Sequence, residues 1–285
     1  MKTFISIAVL FFTSIASAEF FKGPMSSAMG GTGRAGLGSS EGAFVNPAVI
    51  PLARNYEFNI FYRDGYESLG QHRQGWMVGA VDNTESVLFP GSLHYGRLRD
   101  TGRAGAPVDG EVWHAAGAYL ISQRLSVGAS AYRLHHKVKN DRSFEQWNGS
   151  LGSVLLINEA VALAYTLDNL AKPSGDTPVG LREDLRQGVG GFFRAVGMVV
   201  LRADITREEK YNPDKKLTYM LGMESATSEY FVVRLGYRHH ERMDKTIWSG
   251  GFAFNGPRLR FDYALEKDQE GDSGAMHSVD LRIPF

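Results

Sequence analysis

Charged side chains recur at every second position in several segments of the second half of the chain. Alternate residues of a β-strand point to the same face, so such charges would share one side of a sheet. We interpret this set of both signs as ion pairs that seat another segment of the chain. A lining that selects ionic solutes is the alternative interpretation. The set consists of Arg202, Asp204, Arg234, Arg260, Asp262, Asp280 and Arg282.

Histidines could bind a metal or transfer protons, and the chain contains 8 of them. His135-His136 and His239-His240 are adjacent pairs, and adjacent strand residues face opposite sides, so neither pair has ligand spacing on one face. We interpret both pairs as histidines of surface loops. No local motif joins a Ser or an Asp to a His as nucleophilic or acid–base catalysis requires. The sequence therefore predicts no catalytic residue, no metal and no cofactor, and a protein that is not an enzyme.

A glycine-rich stretch near the N-terminus matches the G-x-G-x-x-G pattern of dinucleotide-binding folds by its letters, from Gly31 to Gly36. That fingerprint requires a preceding strand and a following helix in a βαβ unit, and no such unit surrounds it here. Small residues such as Gly31 and Gly33 also let a backbone pass close to a wall. Pro47 pushes Asn46 out of helical geometry and fixes a turn. We predict that these four residues belong to a tightly packed segment.

The elements that position these residues are β-strands. Tyr56, Phe58, Ile60 and Tyr62 alternate with polar residues, and the same period of two returns in many later segments. An even count of about fourteen is typical of bacterial outer-membrane barrels. The strands are predicted near 54–63, 73–82, 86–98, 111–121, 125–138, 147–156, 160–168, 185–193, 197–206, 216–224, 229–238, 246–254, 258–266 and 276–285.

The links between the predicted strands alternate in length. Tight links such as Asn83 to Glu85 and Ser122 to Arg124 are followed by longer polar links such as Asp64 to His72. Short periplasmic turns and long extracellular loops give outer-membrane barrels this arrangement, and a soluble sandwich has no reason to sort its links in this way.

The chain ends on an apolar strand face that closes with an aromatic residue. Val279, Leu281, Ile283 and Phe285 fall on one side of the last predicted strand. A terminal aromatic of this kind resembles the signal that the outer-membrane insertion machinery reads. We predict that Phe285 is the barrel-assembly signal and that this machinery is a partner.

The first 18 residues have the form of an export signal. Lys2 precedes an apolar stretch from Phe4 to Phe12, and Ala16-Ser17-Ala18 is a small-x-small cleavage site. With Lys+Arg 31 and Asp+Glu 31 the chain has no overall field that would attract nucleic acid. It contains no cysteine, which excludes disulfides and thiolate chemistry from its own residues.

After the signal peptide (1–18), residues 19–53 are rich in glycine and do not alternate. A barrel of about fourteen strands is too wide for its own side chains to fill. We therefore predict that 19–53 forms a hatch inside the lumen and that 54–285 forms the barrel. The predicted fold is an all-β transmembrane antiparallel barrel of about 14 strands with an N-terminal luminal hatch, located in the outer membrane and surrounded by its lipid.

Several short motifs spread over nearly all of the mature chain add a resemblance. They are Gly31-Thr32-Gly33-x-Ala35 with Ala43-x-x-Asn46-Pro47-Ala48, Val161 to Tyr165 with Asp168-Asn169-Leu170, Leu201 to Asp204, Val233 to Arg238, and Arg260 to Ala264. Together they resemble the FadL-like superfamily of outer-membrane long-chain fatty-acid transporters. They are closer still to the PorV-like branch, which is known from the type IX secretion system.

This resemblance implies a fourteen-stranded barrel with a hatch that acts on hydrophobic or lipid-linked molecules. The chain is short for a fatty-acid transporter, and the family's ligand residues do not map onto it. We expect the protein to handle or transport hydrophobic molecules across the outer membrane. The alternative is a non-transporting scaffold that docks a secreted or surface protein partner. A general porin is a third hypothesis, which the predicted hatch disfavours.

Overall fold

The computed structural model describes most of the chain after residue 21. The predicted signal peptide, 1–18, lies outside the described residues, as do 19–21. The described residues are 22–37, 39–53, 56–67, 71–84, 87, 89–101, 107–138, 142–172, 177, 183–195, 198–209, 217–269 and 274–285.

Three short helical turns precede fourteen strands. The turns are α1 (Pro24–Ala28), α2 (Gly42–Val45) and a 3-10 helix (Pro47–Leu52). The strands are β1 (Tyr56–Glu67), β2 (Gln71–Asp82), β3 (Gly91–Thr101), β4 (Pro107–Ser122), β5 (Leu125–Val138), β6 (Arg142–Leu156), β7 (Val161–Asp168), β8 (Arg186–Arg194), β9 (Val199–Glu208), β10 (Leu217–Ala226), β11 (Phe231–His240), β12 (Lys245–Asn255), β13 (Arg260–Asp268) and β14 (Met276–Pro284).

The fourteen strands form one closed antiparallel barrel. Each strand pairs with its neighbours in sequence, and β1 closes the ring on β14, where Ile60 lies opposite Leu281. Closure leaves no unpaired edge strand. The fold class predicted from the alternation, a fourteen-stranded antiparallel barrel, is therefore confirmed.

The alternation of residue types follows the two faces of the wall. In β11, Leu235 is 54% exposed on the outer face while its neighbour Arg234 is only 2% exposed on the inner face. Asp262 is 1% exposed in β13, next to the outward-facing Phe261. The arrangement is the reverse of a soluble protein, with apolar side chains outside and charged ones inside.

One predicted turn is wrong. The link from β2 to β3 covers 83–90, whereas the sequence predicted a turn from Asn83 to Glu85 with a strand beginning at 86. The apolar residues before Gly91 were taken for strand residues. Pro90 has no N–H to donate to a ladder, and β3 begins only after it.

Six of the seven links at the opposite end are shorter than predicted. This loop end of the barrel carries the links 68–70, 102–106, 139–141, 169–185, 209–216, 241–244 and 269–275, and the other end is the turn end. The strands of these hairpins extend toward the loop end because ion pairs join neighbouring strands there. Examples are Arg73–Asp100 at 2.9 Å and Arg133–Glu145 at 2.7 Å. Both faces are polar there, so alternation no longer marks a strand. Strict alternation of link lengths is therefore also wrong, but 169–185, 209–216 and 269–275 lie within two residues of their predicted bounds.

The N-terminal segment, which we define as the described residues of 22–53, lies inside the ring of strands. Nearly all of its residues are buried, and its contacts are with inward positions around the wall. The 3-10 helix packs against Val81 of β2 and Ala118 of β4 near the turn end. None of the helices among the described residues is long and apolar enough to cross a membrane.

Candidate functional site

The glycines singled out in the sequence form a tight turn after α1. Gly31 has a φ of 94° and Gly33 a φ of 142°, a region that side-chain-bearing residues rarely adopt. A Cβ on Gly33 would lie 2.4 Å from the side chain of Leu37. The turn brings the backbone of this segment against strand β9, as the next contacts show.

Asp204 of β9 holds this turn. Its Oδ2 accepts hydrogen bonds from the backbone N–H groups of Gly33 at 2.9 Å and Arg34 at 3.1 Å, and from Nη1 of Arg34 at 3.2 Å. Nη2 of Arg34 also lies 3.9 Å from a carboxylate oxygen of Asp168 on β7. The sequence predicted Asp204 as a lumen residue, whereas Arg34 and Asp168 were missed.

Asn46 and Pro47 fix the next turn of the N-terminal segment. Oδ1 of Asn46 accepts from the backbone N–H of Ala48 at 3.0 Å, and its Nδ2 donates to the backbone oxygen of Arg34 at 2.7 Å. Nδ2 also lies 3.3 Å from the backbone oxygen of Ser153 in β6. This amide therefore joins two parts of the N-terminal segment to the wall.

The predicted charge cluster lies on the inner face of β9 to β14, near the turn end. The pairs in this charge network are Arg234–Glu224 at 2.7 Å, Arg234–Asp262 at 2.5 Å, Arg282–Asp280 at 3.4 Å, Arg202–Glu224 at 3.6 Å, Arg260–Glu57 at 3.7 Å, and a close pair of Arg282 with Asp262. All seven predicted residues therefore lie on the inner face and take part in ion pairs. Removing one partner of such a buried pair costs ~3–5 kcal/mol, because the other charge is left uncompensated.

The charge network also reaches the N-terminal segment. Nε of Arg202 donates to the backbone oxygen of Gly36 at 3.1 Å, and Glu57 accepts from the backbone N–H of Ser40 at 2.7 Å. Further from the turn end, Lys22 pairs with Glu266 at 3.1 Å. The sequence analysis missed Glu57, Glu224 and Glu266. For Glu224 a signal was present, because Met220, Gly222 and Glu224 alternate with outward-facing residues of β10.

Glu41 is a buried carboxyl of the N-terminal segment itself. It accepts hydrogen bonds from the backbone N–H groups of Met25 at 3.0 Å and Ser26 at 2.5 Å, at the start of α1. Burial raises the pKa of Glu41 to about 7, with Asp262 adding to the rise and Arg282 opposing it. Near neutral pH this group therefore sits close to its titration midpoint.

The opposite side of the lumen, on β1 to β5, is apolar and aromatic. We call Phe61, Met77, Val112 and Leu134 the inner apolar patch, since all four are buried together on the inner face. The ring of Phe44, from α2, packs against this patch.

Two histidines border this patch. His94 of β3 and His114 of β4 face each other across the ladder, and both are buried on the inner face. His136, predicted as a surface-loop histidine, is also buried on the inner face, because β5 continues to Val138. The loop location predicted for His135-His136 and His239-His240 is wrong, since both pairs lie within strands. Among the described residues no three His, Cys, Asp or Glu side chains are grouped as metal ligands would be.

The space between the N-terminal segment and the loop end holds a cavity of about 70 Å³. Phe44, Val112 and Leu134 line one side of it, and His114 and Tyr132 continue the lining. A larger apolar groove of about 630 Å³ lies mainly on the outer face of β7 to β12. In a bilayer that face contacts lipid, so the internal cavity is the candidate site for a solute.

Polar contacts close the cavity toward the loop end. Asn169 accepts a short hydrogen bond from the Tyr132 hydroxyl and donates to Glu183 at 3.3 Å and to the backbone oxygen of Asp184 at 2.9 Å. Burial raises the pKa of Glu183 to about 8. The link 169–185 therefore forms the far boundary of the cavity through its described residues.

At the turn end, Phe285 is 79% exposed. Its backbone N–H donates to the backbone oxygen of Tyr56 at 2.9 Å, and the two rings lie 5.6 Å apart. The terminal residue thus extends the β1–β14 seam. Its part in barrel assembly stays a prediction.

Comparisons with known proteins find likeness in structure only. No family model matches the chain, and no curated protein matches it in sequence. The CymD monoaromatic hydrocarbon channel has a TM-score of 0.75 at 14% identity, covering 92% of this chain and 97% of that one. The Ralstonia pickettii toluene transporter TbuX has a TM-score of 0.69 at 13% identity, covering 93% and 98%.

A Pseudomonas aeruginosa FadL homologue is also similar, with a TM-score of 0.62 at 11% identity over 92% of this chain and 98% of that one. The FadL-like resemblance predicted from the sequence motifs is confirmed at the level of the fold, while the PorV-like branch stays a prediction. This chain has the barrel fold of the FadL-like channels.

Proposed function

We propose that the protein is an outer-membrane channel that moves small hydrophobic molecules across the outer membrane. The observation that carries this proposal is the inner apolar patch, which borders an internal cavity in a closed barrel. The similar structures are a monoaromatic hydrocarbon channel and a toluene transporter by their titles. A lumen that passed only ions or sugars would gain nothing from burying Phe61, Met77 and Leu134 on its inner face.

The membrane location is supported by the outer face of the wall. Large apolar side chains such as Leu221 and Leu235 are exposed there, and the charge network is confined to the inner face. A lipid-facing Arg would cost ~2–4 kcal/mol at the middle of the bilayer. Export by a cleaved signal peptide would deliver the chain, and barrel-insertion machinery would place it in outer-membrane lipid.

The N-terminal segment supports the hatch function that we propose for 19–53. Its backbone is tied to β9 through Asp204 and to β6 through Ser153, and its residues fill the lumen across most of the ring. Passage would then require that part of this segment moves. The charge network, including Arg202, Asp262 and Arg282, would hold the rest of it in place.

Two other functions receive less support. A scaffold that docks a secreted protein needs accessible surface, and the described link 241–244 at the loop end is short. A general porin needs a wide water-filled path. The cavity of about 70 Å³ has room for only a few water molecules.

Uptake by whole cells tests the proposal. A lipopolysaccharide layer slows hydrophobic solutes, so we would express the protein in a Gram-negative host that lacks its own hydrophobic-compound channel and measure the initial uptake of labelled toluene. We expect uptake several-fold above the empty-vector host, with the protein in the outer-membrane fraction and showing heat-modifiable mobility on gels.

The control solute is glucose, whose uptake should not change. Unchanged toluene uptake by cells that contain the folded barrel would overturn the transport proposal. An equal rise for glucose would identify a general porin instead.

A further inference from the structure

One aromatic side chain of the N-terminal segment packs against two imidazole rings of the wall. The ring centroid of Phe44 is 4.6 Å from that of His94 and 4.2 Å from that of His114, with interplanar angles of 57° and 31°. His94 and His114 are direct cross-strand partners on β3 and β4. The centroids of the two imidazoles are 5.9 Å apart, so Phe44 packs beside the pair rather than between its rings. We call the space that Phe44 occupies against these two imidazoles the imidazole slot.

The two imidazoles have unused hydrogen-bonding capacity. Both ring nitrogens of His94, and Nδ1 of His114, are buried without a hydrogen-bond partner. The side chains are 1% and 4% exposed, so bulk water does not reach them. An unsatisfied buried nitrogen is unfavourable. Phe44, with no polar atom, fits the shape of the slot and leaves these nitrogens unpaired.

The wall around the imidazole slot offers ring faces and aliphatic groups. Gly79 of β2 lies under His94, and a Cβ at that position would be 1.9 Å from the imidazole. On the other side Tyr132 stacks on His114, with centroids 6.3 Å apart and planes at 24°. The inner apolar patch completes the surroundings. An aromatic molecule would therefore meet ring faces and aliphatic groups on several sides.

The charges near the imidazole slot do not favour an ionic ligand. Arg34 is already paired with Asp204 at 3.2 Å and Lys22 with Glu266 at 3.1 Å. Arg186 lines the same cavity and is paired with Asp168 at 3.2 Å. A neutral hydroxyl group, by contrast, donates one hydrogen bond to an imidazole nitrogen and needs no counter-charge.

We propose that the imidazole slot is a binding site for a neutral hydroxylated aromatic molecule of the phenol class, and that Phe44 occupies it in the absence of that solute. Ring stacking would hold the aromatic part, and a hydrogen bond from the hydroxyl to His114 or His94 would select it over a plain hydrocarbon. This inference rests on the proposed channel function and names the solute class of its lumen. Phe44 borders the cavity and belongs to a single helical turn, Gly42–Val45, so its displacement would not disturb the barrel wall.

Calorimetric titration of the purified full-length barrel in detergent tests the site, with phenol as the probe and toluene as the matched ligand. Phe44→Ala empties the imidazole slot and should bind phenol about tenfold more tightly than the unaltered protein. It should prefer phenol over toluene by about tenfold, the typical effect of one hydrogen bond to a buried group. Two double variants combine Phe44→Ala with either His114→Phe or His94→Phe. Each replaces one imidazole by a phenyl ring, which keeps a ring in place and removes both imidazole nitrogens. At least one of these double variants should lose the preference.

The matched control adds His277→Phe to Phe44→Ala, since His277 is exposed on the outer face and its loss should leave the preference intact. Heat-modifiable mobility on gels confirms that each variant is folded. No phenol binding by Phe44→Ala, or a preference that survives both histidine substitutions, would overturn the proposed site. Because binding is measured on isolated protein, this result is separate from toluene uptake by cells, which tests the channel function itself.

Discussion

At the scale of single residues, Asp204 joins the N-terminal segment to the wall. One carboxylate oxygen accepts from two backbone N–H groups and from the Arg34 side chain, while Arg34 is 2% exposed and Asp204 is 1% exposed. Backbone hydrogen bonds set the position of the turn, and the ion pair compensates both buried charges.

Substituting Asp204→Asn tests the charge alone, because the amide oxygen can still accept the backbone hydrogen bonds. The buried Arg34 would then lack its nearest anion, which we expect to weaken docking of the N-terminal segment by ~3–5 kcal/mol. Limited trypsin digestion should cut at Arg34 in the variant and not in the unaltered protein. Asp109→Asn serves as the control, since Asp109 and Arg99 form an exposed pair and its loss should not change digestion. Equal resistance of Arg34 in both variants would contradict this role of Asp204.

Glu41 makes the same docking depend on pH. Its pKa is about 7 when the segment is docked and near its usual value of 4.5 when the segment is released into water. The docked form therefore binds the proton more tightly. The stabilisation of the docked form by this proton is fully present below pH 4.5. It is lost as the pH rises toward about 7.

We therefore expect release of the N-terminal segment to rise with pH by up to about tenfold per pH unit between 4.5 and 7, and to level off above that. Glu41→Gln cannot titrate and should remove this rise. The measurement is the rate of trypsin cleavage at Arg34 on folded barrels, scaled to the rate on a denatured sample at the same pH. A rise of the same size in Glu41→Gln would assign the pH dependence to other groups, such as Glu183.

At the scale of elements, glycines in the wall decide where the N-terminal segment can lie. Gly236 of β11 faces inward, and a Cβ there would be 2.0 Å from the backbone nitrogen of Gly30. Gly222 of β10 is in similar contact with Met29. Strand interiors otherwise disfavour glycine, so these positions record a close approach of two backbones.

Gly236→Ala should therefore displace the N-terminal segment while β11 keeps its ladder. We expect faster trypsin cleavage at Arg34 with unchanged heat-modifiable mobility on gels. Gly191→Ala is the control, because a Cβ on Gly191 would meet its nearest atoms only at 3.5 Å, an ordinary contact with Leu163. If the Gly236 variant resists trypsin as the control does, the close approach is not limiting.

The sequence predicted the strands well where one face is apolar and the other polar, as in β1 and β11. It failed at the strand ends, where Arg73, Asp100 and their neighbours are polar on both faces and the period of two disappears. It also failed before Gly91, since apolar residues ahead of Pro90 resemble a strand by composition. Local alternation therefore predicts the membrane-facing part of a hairpin and not its full length.

The interior could be predicted only in part. Arg202, Asp204 and Asp262 are inward by alternation alone, which requires no knowledge of the fold. The identity of their partners Arg34 and Glu224 depends on strand register and on the path of the N-terminal segment. Patterns in a single sequence do not determine either. The contact of Phe44 with both His94 and His114 joins separate parts of the chain, so only the closed barrel reveals it.

At the scale of the whole molecule, the barrel wall closes without any contribution from the N-terminal segment. Every strand, including β1 and β14, is paired on both sides by other strands, so the ladder closes without residues 22–53. The same segment lies inside the ring of strands beside a cavity of about 70 Å³. A barrel of about fourteen strands without it would be wide enough for water and ions.

The most direct test of a hatch-closed channel is the ion conductance of single barrels in planar bilayers, with and without residues 19–43. The deletion retains the predicted signal peptide and removes Arg34 along with the glycine turn. We predict that the truncated chain still folds, shown by its heat-modifiable mobility on gels, and conducts ions well above the nearly closed full-length protein. If the folded, truncated barrel conducts no better than the full-length protein, the N-terminal segment does not close the lumen and the account is contradicted.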